Sequence, residues 1–243
     1  MSTCRRGWFC IIVVLACTDA PREEQPIASD SAAVTAPVQP LALLDSGAPK
    51  LVPFDSADPS FSAFRRQLLA ALQRRDTAFL YSVLAPEIKN SFGGDDSIAG
   101  FKRIWRMSDP NTPVWSALTR VLNMGGSTDG SYFIAPYVYK AWPDSIDAFE
   151  HVAVTGAHAV ARGLPSADAV ALGALSYSIL PIEEWQGVGE AGVATEHTWA
   201  RLRLPDRREV WVAGLDVYSP VGWRAFFENR DGRWVLTLFV AGD

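Results

Sequence analysis

Between His151 and Tyr218 the chain consists of short apolar runs separated by turn residues, and this pattern constrains the fold most strongly. Apolar and polar residues alternate within the runs, and β-branched side chains are frequent, which predicts strands. The predicted strands cover His151–Gly156, Ala159–Arg162, Val170–Leu180, Trp199–Leu204 and Glu209–Gly214. Short strands at such intervals predict a small β-barrel over residues 151–218.

The order of these strands resembles the bacterial SH3-like (SH3b) domain family. The residues that carry the resemblance are Val154-Thr155-Gly156, Val160-Ala161-Arg162, Pro165-Ser166, Gly173 with Leu175, Trp199 to Leu204, Val210-Trp211-Val212 and Tyr218. The resemblance covers about 65 residues. It implies a small barrel that binds peptidoglycan or a peptide, although many such domains serve only as scaffolds. The family usually has glycine before the tryptophan of its late strand, whereas Val210 precedes Trp211 here.

A second departure from the family is a long insertion, from Glu183 to His197, between two predicted strands. The insertion contains four glutamates, several glycines and Trp185. Long loops of this kind either carry function or move freely, and both interpretations are open from the sequence.

The N-terminus has the pattern of a bacterial export signal. Two arginines precede a short apolar run, Gly7 to Ala16, and spanning a bilayer takes about 20 apolar residues. The run ends in Val14-Leu15-Ala16-Cys17, which resembles the lipobox of bacterial lipoproteins. This resemblance implies a signal peptide over residues 1–16 and a lipid on Cys17, which would anchor the protein on the periplasmic face of an envelope membrane. The alternative is an ordinary cleaved signal in which Cys17 is incidental.

Residues 17–60 have the composition of a tether. The stretch from Thr18 to Ser60 holds seven of the sixteen prolines, with alanine, serine and aspartate and little periodicity. We therefore expect a disordered tether between the anchor and the folded part. The alternative is that an apolar patch, Leu41–Leu44 or Leu51–Phe54, packs on the folded part.

Residues 61–150 are predicted to form a helical α+β domain. Four segments have apolar residues at helical spacing, and short extended segments separate them. The helical segments begin near Phe61, Asp76, Ser97 and Pro113. Asp76 and Asp96 stand where helix N-caps belong, and Pro86 is predicted to end the second helix ahead of a short strand at Ile88–Phe92.

The C-terminal residues 219–243 have the pattern of a hairpin. Strand patterns at Arg224–Glu228 and Arg233–Val240 flank Asp231-Gly232, and an aspartate-glycine turn is a strong hairpin signal. The predicted fold class is therefore α+β, with an N-terminal helical α+β domain, a small SH3-like β-barrel and a C-terminal β-hairpin.

Two separated pieces of the chain also resemble the cone-shaped α+β fold called SnoaL-like or nuclear-transport-factor-like. The pieces are the helix pair around Arg74–Thr77 with Ile88–Gly94, and the terminal strands with Trp234 after the aspartate-glycine turn. This resemblance implies that the barrel is an insertion and that the hairpin returns to the sheet of the first domain. The alternative is that the hairpin extends the barrel.

The sequence contains no recognisable catalytic constellation. The three histidines lie in no known motif, and there is neither a Gly-x-Ser-x-Gly elbow nor a phosphate-binding loop. The carboxylate pairs Asp95-Asp96 and Glu183-Glu184 are interpreted as solvated rather than metal-binding. With 22 basic and 27 acidic residues, the charge argues against a nucleic-acid partner, because phosphate binding needs a basic surface. We expect no enzyme activity, no cofactor and no metal.

Aromatic residues are the one enriched class, and they supply the candidate site. Stacked aromatic rings near charged groups suit sugar rings or cationic peptide groups. The leading hypothesis is a non-catalytic envelope lipoprotein whose SH3-like module binds peptidoglycan or a peptide. The predicted groove is formed by Arg162, Trp185, Trp211 and Tyr218. The alternatives are a structural adaptor for another envelope protein, and a small-ligand pocket or wall-hydrolase accessory.

Overall fold

The computed structural model describes residues 40–242. The predicted signal peptide (1–16), the lipidation site Cys17 and residues 17–39 of the predicted tether lie outside the described residues. The described part contains helices and two mostly antiparallel sheets, so the protein belongs to the mixed α+β class. None of the helices in this part is long and apolar enough to cross a membrane.

The α-helices of the described part come early in the chain. They are α1 (Pro59–Gln73), α2 (Thr77–Ser82), α3 (Ile98–Ile104), α4 (Val114–Asn123) and α5 (Tyr137–Lys140). The Asp58 carboxylate begins α1 by accepting hydrogen bonds from backbone N–H groups. The predicted cap of α2 is confirmed, because Asp76 accepts from the N–H of Phe79 at 2.9 Å. The predicted Asp96 cap of α3 is wrong, since the Ser97 hydroxyl one residue later caps that helix.

Strands form two separate sheets. They are β1 (Leu84–Lys89), β2 (Ser127–Asp129), β3 (Tyr132–Ala135), β4 (His151–Val154), β5 (Ala159–Arg162), β6 (Ala171–Leu175), β7 (Ile179–Gln186), β8 (Trp199–Arg203), β9 (Glu209–Ala213), β10 (Val217–Tyr218), β11 (Arg224–Arg230) and β12 (Arg233–Val240). The first sheet has the order β1-β12-β11-β3-β2, and the second has the order β10-β4-β7-β8-β9-β5-β6. Only the β1–β12 pairing is parallel among these neighbours in the described chain.

Pro86 lies within a strand, which corrects the prediction that it ends a helix. The second helix stops at Ser82, and Pro86 falls inside β1 at the edge of the first sheet. An edge strand tolerates proline because one side of its backbone needs no hydrogen-bond donor for a neighbouring strand. The predicted strand at Ile88–Phe92 therefore begins earlier than expected and ends at Lys89.

The core of the first sheet is aromatic. The ring of Phe61 in α1 stacks on Phe133 in β3, with ring centroids 3.8 Å apart, and Trp234 in β12 meets the same ring edge-on at 5.0 Å. The indole N–H of Trp234 donates to the Ser60 hydroxyl at 2.9 Å, so its polar atom is satisfied. These contacts fix α1 across the centre of the sheet.

The second sheet has its own buried cluster on one face. In β8 the small and aliphatic residues Ala200 and Leu202 are buried, whereas Trp199, Arg201 and Arg203 lie on the other face. This period of two is expected for a strand with one covered face. The cluster also contains valines and leucines from β4, β6, β7, β9 and β10.

The two sheets are connected through the core as well as through the chain. Ala153, Ile179, Val193 and Tyr218 come from the part of the chain that builds the second sheet, yet they pack in the buried cluster of the first sheet. The chain leaves the first sheet after β3, builds the second sheet, and returns with β11 and β12 between β1 and β3. The two sheets therefore meet at a junction that residues of both parts of the chain build.

Residues 40–58 differ from the predicted tether because they pack on both sheets. Leu43 forms a parallel bridge to Ala174 in the edge strand β6, and Leu51 is buried. Farther along, Ser56 donates its N–H to the Gly126 carbonyl at 2.8 Å. Proline-rich sequence suits an extended backbone as well as a flexible one, and here extended backbone lies along sheet edges. This is the alternative in which the apolar patches pack on the folded part.

Candidate functional site

A cavity of about 240 Å³ lies where the second sheet meets α4. We call it the junction cavity. Its wall includes Ala117 and Arg120 of α4, Trp185 of β7, Val193, Tyr218 of β10, and Trp223 in the turn before β11. Most of these side chains are apolar, and an apolar cavity with few polar groups is the common form of a small-molecule site.

The Gly187–Thr198 loop forms one side of the junction cavity, and it is anchored at both ends. Thr198 donates its hydroxyl to the Gly187 carbonyl at 2.8 Å, which closes the base of the loop. In its middle, Val193 is buried, and the indole N–H of Trp223 donates to the Ala191 carbonyl at 2.8 Å. The loop is therefore packed against the turn before β11.

The predicted insertion Glu183–His197 needs a correction at its start. Its first four residues, 183–186, belong to β7 and pair with β8 in the register Glu184↔Arg201 and Trp185↔Ala200. The strand extends beyond the predicted boundary because backbone pairing with β8 continues through polar residues on the exposed face. Only the remainder of the insertion forms a loop, and the ion pair between Arg106 and Glu190 fixes it to the end of α3.

Arg120 supplies the charge in the wall of the junction cavity. Its Nη2 atom donates to the carbonyls of Gly214 (2.9 Å), Leu215 (3.1 Å) and Val217 (2.7 Å), which hold the guanidinium against the start of β10. The guanidinium also lies 5.0 Å from the centroid of the Tyr218 ring, a cation–π distance. Burial lowers the pKa of Arg120 below its ordinary value, because the charged form loses hydration.

Tyr218 is a structural part of the wall. Its side chain is 7% exposed, and its hydroxyl donates to the Trp223 carbonyl at 2.6 Å. Burial raises the pKa of Tyr218, so its phenol stays neutral at physiological pH. The hydrogen bond holds the turn that carries Trp223 in place beside the cavity.

The four residues of the predicted groove fall into two pairs. Trp185, which is 36% exposed, and Tyr218 both line the junction cavity. Arg162 and Trp211 are register partners on neighbouring strands β5 and β9, and they do not line this cavity. Arg162 donates to the Ala169 carbonyl at 2.6 Å.

Arg120, Val193 and Trp223 are cavity residues that the sequence did not single out. Arg120 lies in the last turn of α4, where a basic residue is usually a solvated partner of the helix dipole. Val193 sits in a stretch that resembled a loop, and Trp223 could equally have been core. No local pattern distinguishes such residues, because their neighbours in the cavity are distant in sequence.

A second surface feature is a charged row on the exposed face of the second sheet. Arg201 pairs with Glu184 at 2.9 Å and with Glu209 at 2.8 Å, and its guanidinium lies 5.7 Å from the centroid of the Trp211 ring. Arg162 continues the row beside Trp211. We call Glu184, Arg201, Trp211 and Arg162 the outer row.

The histidines and the carboxylate clusters of the described chain offer no further candidate site. Among residues 40–242, no group of three or more histidine, cysteine, aspartate or glutamate side chains is placed to hold a metal ion. His197 is exposed and lies 3.7 Å from Glu196, whereas the Nδ1 atom of His151 lies 3.1 Å from the Asp147 carbonyl. A larger hollow of about 780 Å³ lies by Arg203, but its wall mixes both signs of charge.

The comparisons with known proteins gave no match, so the proposals about function are based on the geometry of the site. No family model matches the chain. A search of curated proteins gave no match. A search of solved structures gave none either. The junction cavity offers an apolar surface with one positive charge, and the outer row offers a tryptophan between arginines and carboxylates. Both arrangements are suited to binding.

Proposed function

We propose that the protein is a non-catalytic, lipid-anchored binding protein of the bacterial cell envelope. The observation that carries the binding function is the junction cavity, which has an apolar wall and a volume of about 240 Å³. An apolar group that enters it exchanges water contacts for contacts with Trp185, Val193 and Trp223, which is favourable in proportion to the area buried.

The envelope location is supported by the sequence Val14-Leu15-Ala16-Cys17 after a short apolar run. A lipid on Cys17 would hold the binding part at a membrane surface. Metabolic labelling with palmitate tests this proposal, and the label should be absent from the Cys17→Ser variant. Equal labelling of both proteins would contradict the anchor.

The fold relationships are also proposals. The second sheet is proposed to be an SH3-like barrel, on the strength of its short antiparallel strands and the residues of the family pattern. The first sheet with α1 and α2 is proposed to be related to the SnoaL-like cone, because the terminal strands with Trp234 pair beside β1 and β3. An experimental structure that placed the strands in another order would reject both.

The cavity is tested with N-phenyl-1-naphthylamine, an uncharged dye that fluoresces in apolar surroundings. We expect saturable fluorescence with the full chain, expressed without its lipid. Val188 lines the cavity at its rim, so Val188→Trp should fill it and weaken dye binding about tenfold or more. The matched control is Val170→Trp, because Val170 is 75% exposed and lies outside the cavity wall. Equal binding by both variants, with circular dichroism showing folded protein, would contradict the proposed site.

A second candidate function is binding of peptidoglycan or an envelope peptide by the outer row. The specific observation is the half-buried guanidinium of Arg201 beside the Trp211 ring, with carboxylates on both sides. Such a row can stack on a sugar ring and pair with charged peptide groups. Pelleting with isolated sacculi tests it. Trp211→Ala should reduce pelleting, whereas Trp185→Ala should reduce dye binding alone.

An adaptor role for another envelope protein is the remaining alternative. Folded protein that neither binds the dye nor pellets with sacculi, but purifies with a stoichiometric partner, would favour that role over both binding proposals.

A further inference from the structure

The positive charge in the wall of the junction cavity forms no ion pair with any residue among 40–242. Among the described residues of the cavity wall, Arg120 is the one that is charged. The three groups that hold its Nη2 atom are backbone carbonyls, which accept hydrogen bonds but carry no net charge. Removing a cation from water without a paired anion is unfavourable. An anion that entered the cavity would therefore supply the charge that Arg120 lacks.

Asp216 is a carboxylate that attracts Arg120 without contacting it closely enough to form an ion pair within the part of the chain that the structure describes. Burial raises the pKa of Asp216 despite the attraction of Arg120, so the ionised carboxylate is itself poorly solvated. The guanidinium also retains donors, because among residues 40–242 Nε and Nη1 have no hydrogen-bond partner.

We propose that the ligand of the junction cavity is a small apolar molecule with one carboxylate group. This inference rests on the proposed binding function. The carboxylate pairs with Arg120, and the apolar body packs on Trp185, Val193 and Trp223. Hydrogen bonds between a guanidinium and a carboxylate are among the strongest in proteins, and a desolvated site strengthens them.

Charge and size narrow the ligand class. A single cation balances a monocarboxylate, whereas a phosphate near its second ionisation would leave excess negative charge against an apolar wall. The cavity volume of about 240 Å³ lies just below the roughly 300–1,000 Å³ of pockets for drug-sized molecules, so the ligand is small. A medium-chain fatty acid is a ligand of this chemistry and size.

Octanoate and octanol form a matched pair of probes, since they differ in the carboxylate and share the chain length. Each is titrated against N-phenyl-1-naphthylamine bound to the unlipidated full chain at neutral pH. We expect octanoate to displace the dye at a concentration about tenfold lower than octanol, which corresponds to about 1.4 kcal/mol. The Arg120→Gln variant should lose this preference, and Arg120→Lys should keep part of it because it keeps the charge.

The control is Arg75→Gln, because Arg75 also donates to a backbone carbonyl, that of Pro110 at 2.8 Å, but lies outside the cavity wall and the outer row. This variant should retain the full preference for octanoate. Equal displacement by octanoate and octanol in the wild-type protein overturns the carboxylate proposal, and this comparison needs no variant that must fold. An unchanged preference in folded Arg120→Gln overturns it as well. If neither the dye nor either probe binds, the proposed binding function of the cavity is itself contradicted.

Discussion

At the scale of single residues, Asp45 joins the N-terminal segment to the second sheet. Its side chain is 1% exposed, and it accepts hydrogen bonds from the Lys50 ammonium and the Ser176 N–H, both at 2.8 Å. Asp45→Asn should lower the free energy of unfolding by about 1–3 kcal/mol, because it weakens charge-assisted bonds at a buried position. Urea unfolding measures the change, and Asp144→Asn at an exposed position is the control.

The effect of Asp45 should depend on pH. Burial alone would raise the pKa of Asp45, but the hydrogen bonds from Lys50 and Ser176 outweigh it and lower the pKa below its ordinary value. A carboxyl group whose pKa is lower in the folded protein stabilises the fold at pH values above its pKa in the unfolded chain. This stabilisation is lost as the pH falls through the pKa of the folded protein. The wild-type protein and Asp45→Asn should therefore differ most above pH 4 and converge in acid. A constant difference from pH 7 to pH 2 would contradict this origin.

The residues of the candidate site were only partly predictable. Trp185 and Tyr218 were singled out in the sequence as aromatic candidates for a binding face, Trp185 because it falls in the insertion, and both line the junction cavity. Arg120 was not found, since its carbonyl partners lie more than ninety residues later in the chain. Local sequence carries no information about a contact that depends on how two sheets pack.

At the scale of elements, the Gly187–Thr198 loop depends on the backbone of Gly187. This glycine has φ +67°, and a Cβ atom there would lie 2.3 Å from the His197 carbonyl oxygen. Gly187→Ala should destabilise the protein by about 1–3 kcal/mol, because it adds a backbone clash to an unfavourable conformation. It should also weaken dye binding, since the loop forms one wall of the junction cavity.

Gly192 provides the matched control in the same loop. It has φ +69°, but a Cβ atom there would meet nothing within 4 Å. Gly192→Ala should therefore show only the conformational part of the effect, about 1–2 kcal/mol. Thermal unfolding followed by circular dichroism compares the two. Equal midpoints of thermal unfolding for both variants would mean that the close contact at Gly187 does not affect stability.

Helices and strands could be predicted where the residues that indicate them lie close together in the sequence. The Asp76 cap and the amphipathic pattern of α4 depend on residues within one or two turns, and both helices are present. The limits of β1 and β7 were wrong because pairing with a distant strand decides where a strand ends. Pro86 in particular ended a helix in the prediction, but it lies in an edge strand that tolerates it.

At the scale of the whole molecule, the mixed α+β class was predictable from the two kinds of periodicity. The return of the last two strands to the first sheet was one of two alternatives, and a weak resemblance favoured it over extension of the barrel. The packing of residues 40–58 followed from neither periodicity nor composition. The extended backbone of residues 40–58 forms its hydrogen bonds with strands at the sheet edges. Those strands lie far away in the sequence, so the position of this segment could not be predicted without the structure.

This packing predicts where a stable fragment must begin. A chain that starts at Phe61 lacks the Asp58 cap of α1, the buried Leu51 side chain and the buried Asp45 carboxylate. Loss of a helix cap costs about 1 kcal/mol, and an aliphatic side chain contributes about 1.5–3 kcal/mol on burial. The urea midpoint of this fragment should therefore lie well below that of the full chain. A chain that starts at Pro40 should match the full chain, and equal midpoints for all three proteins would show that residues 40–60 are the tether after all.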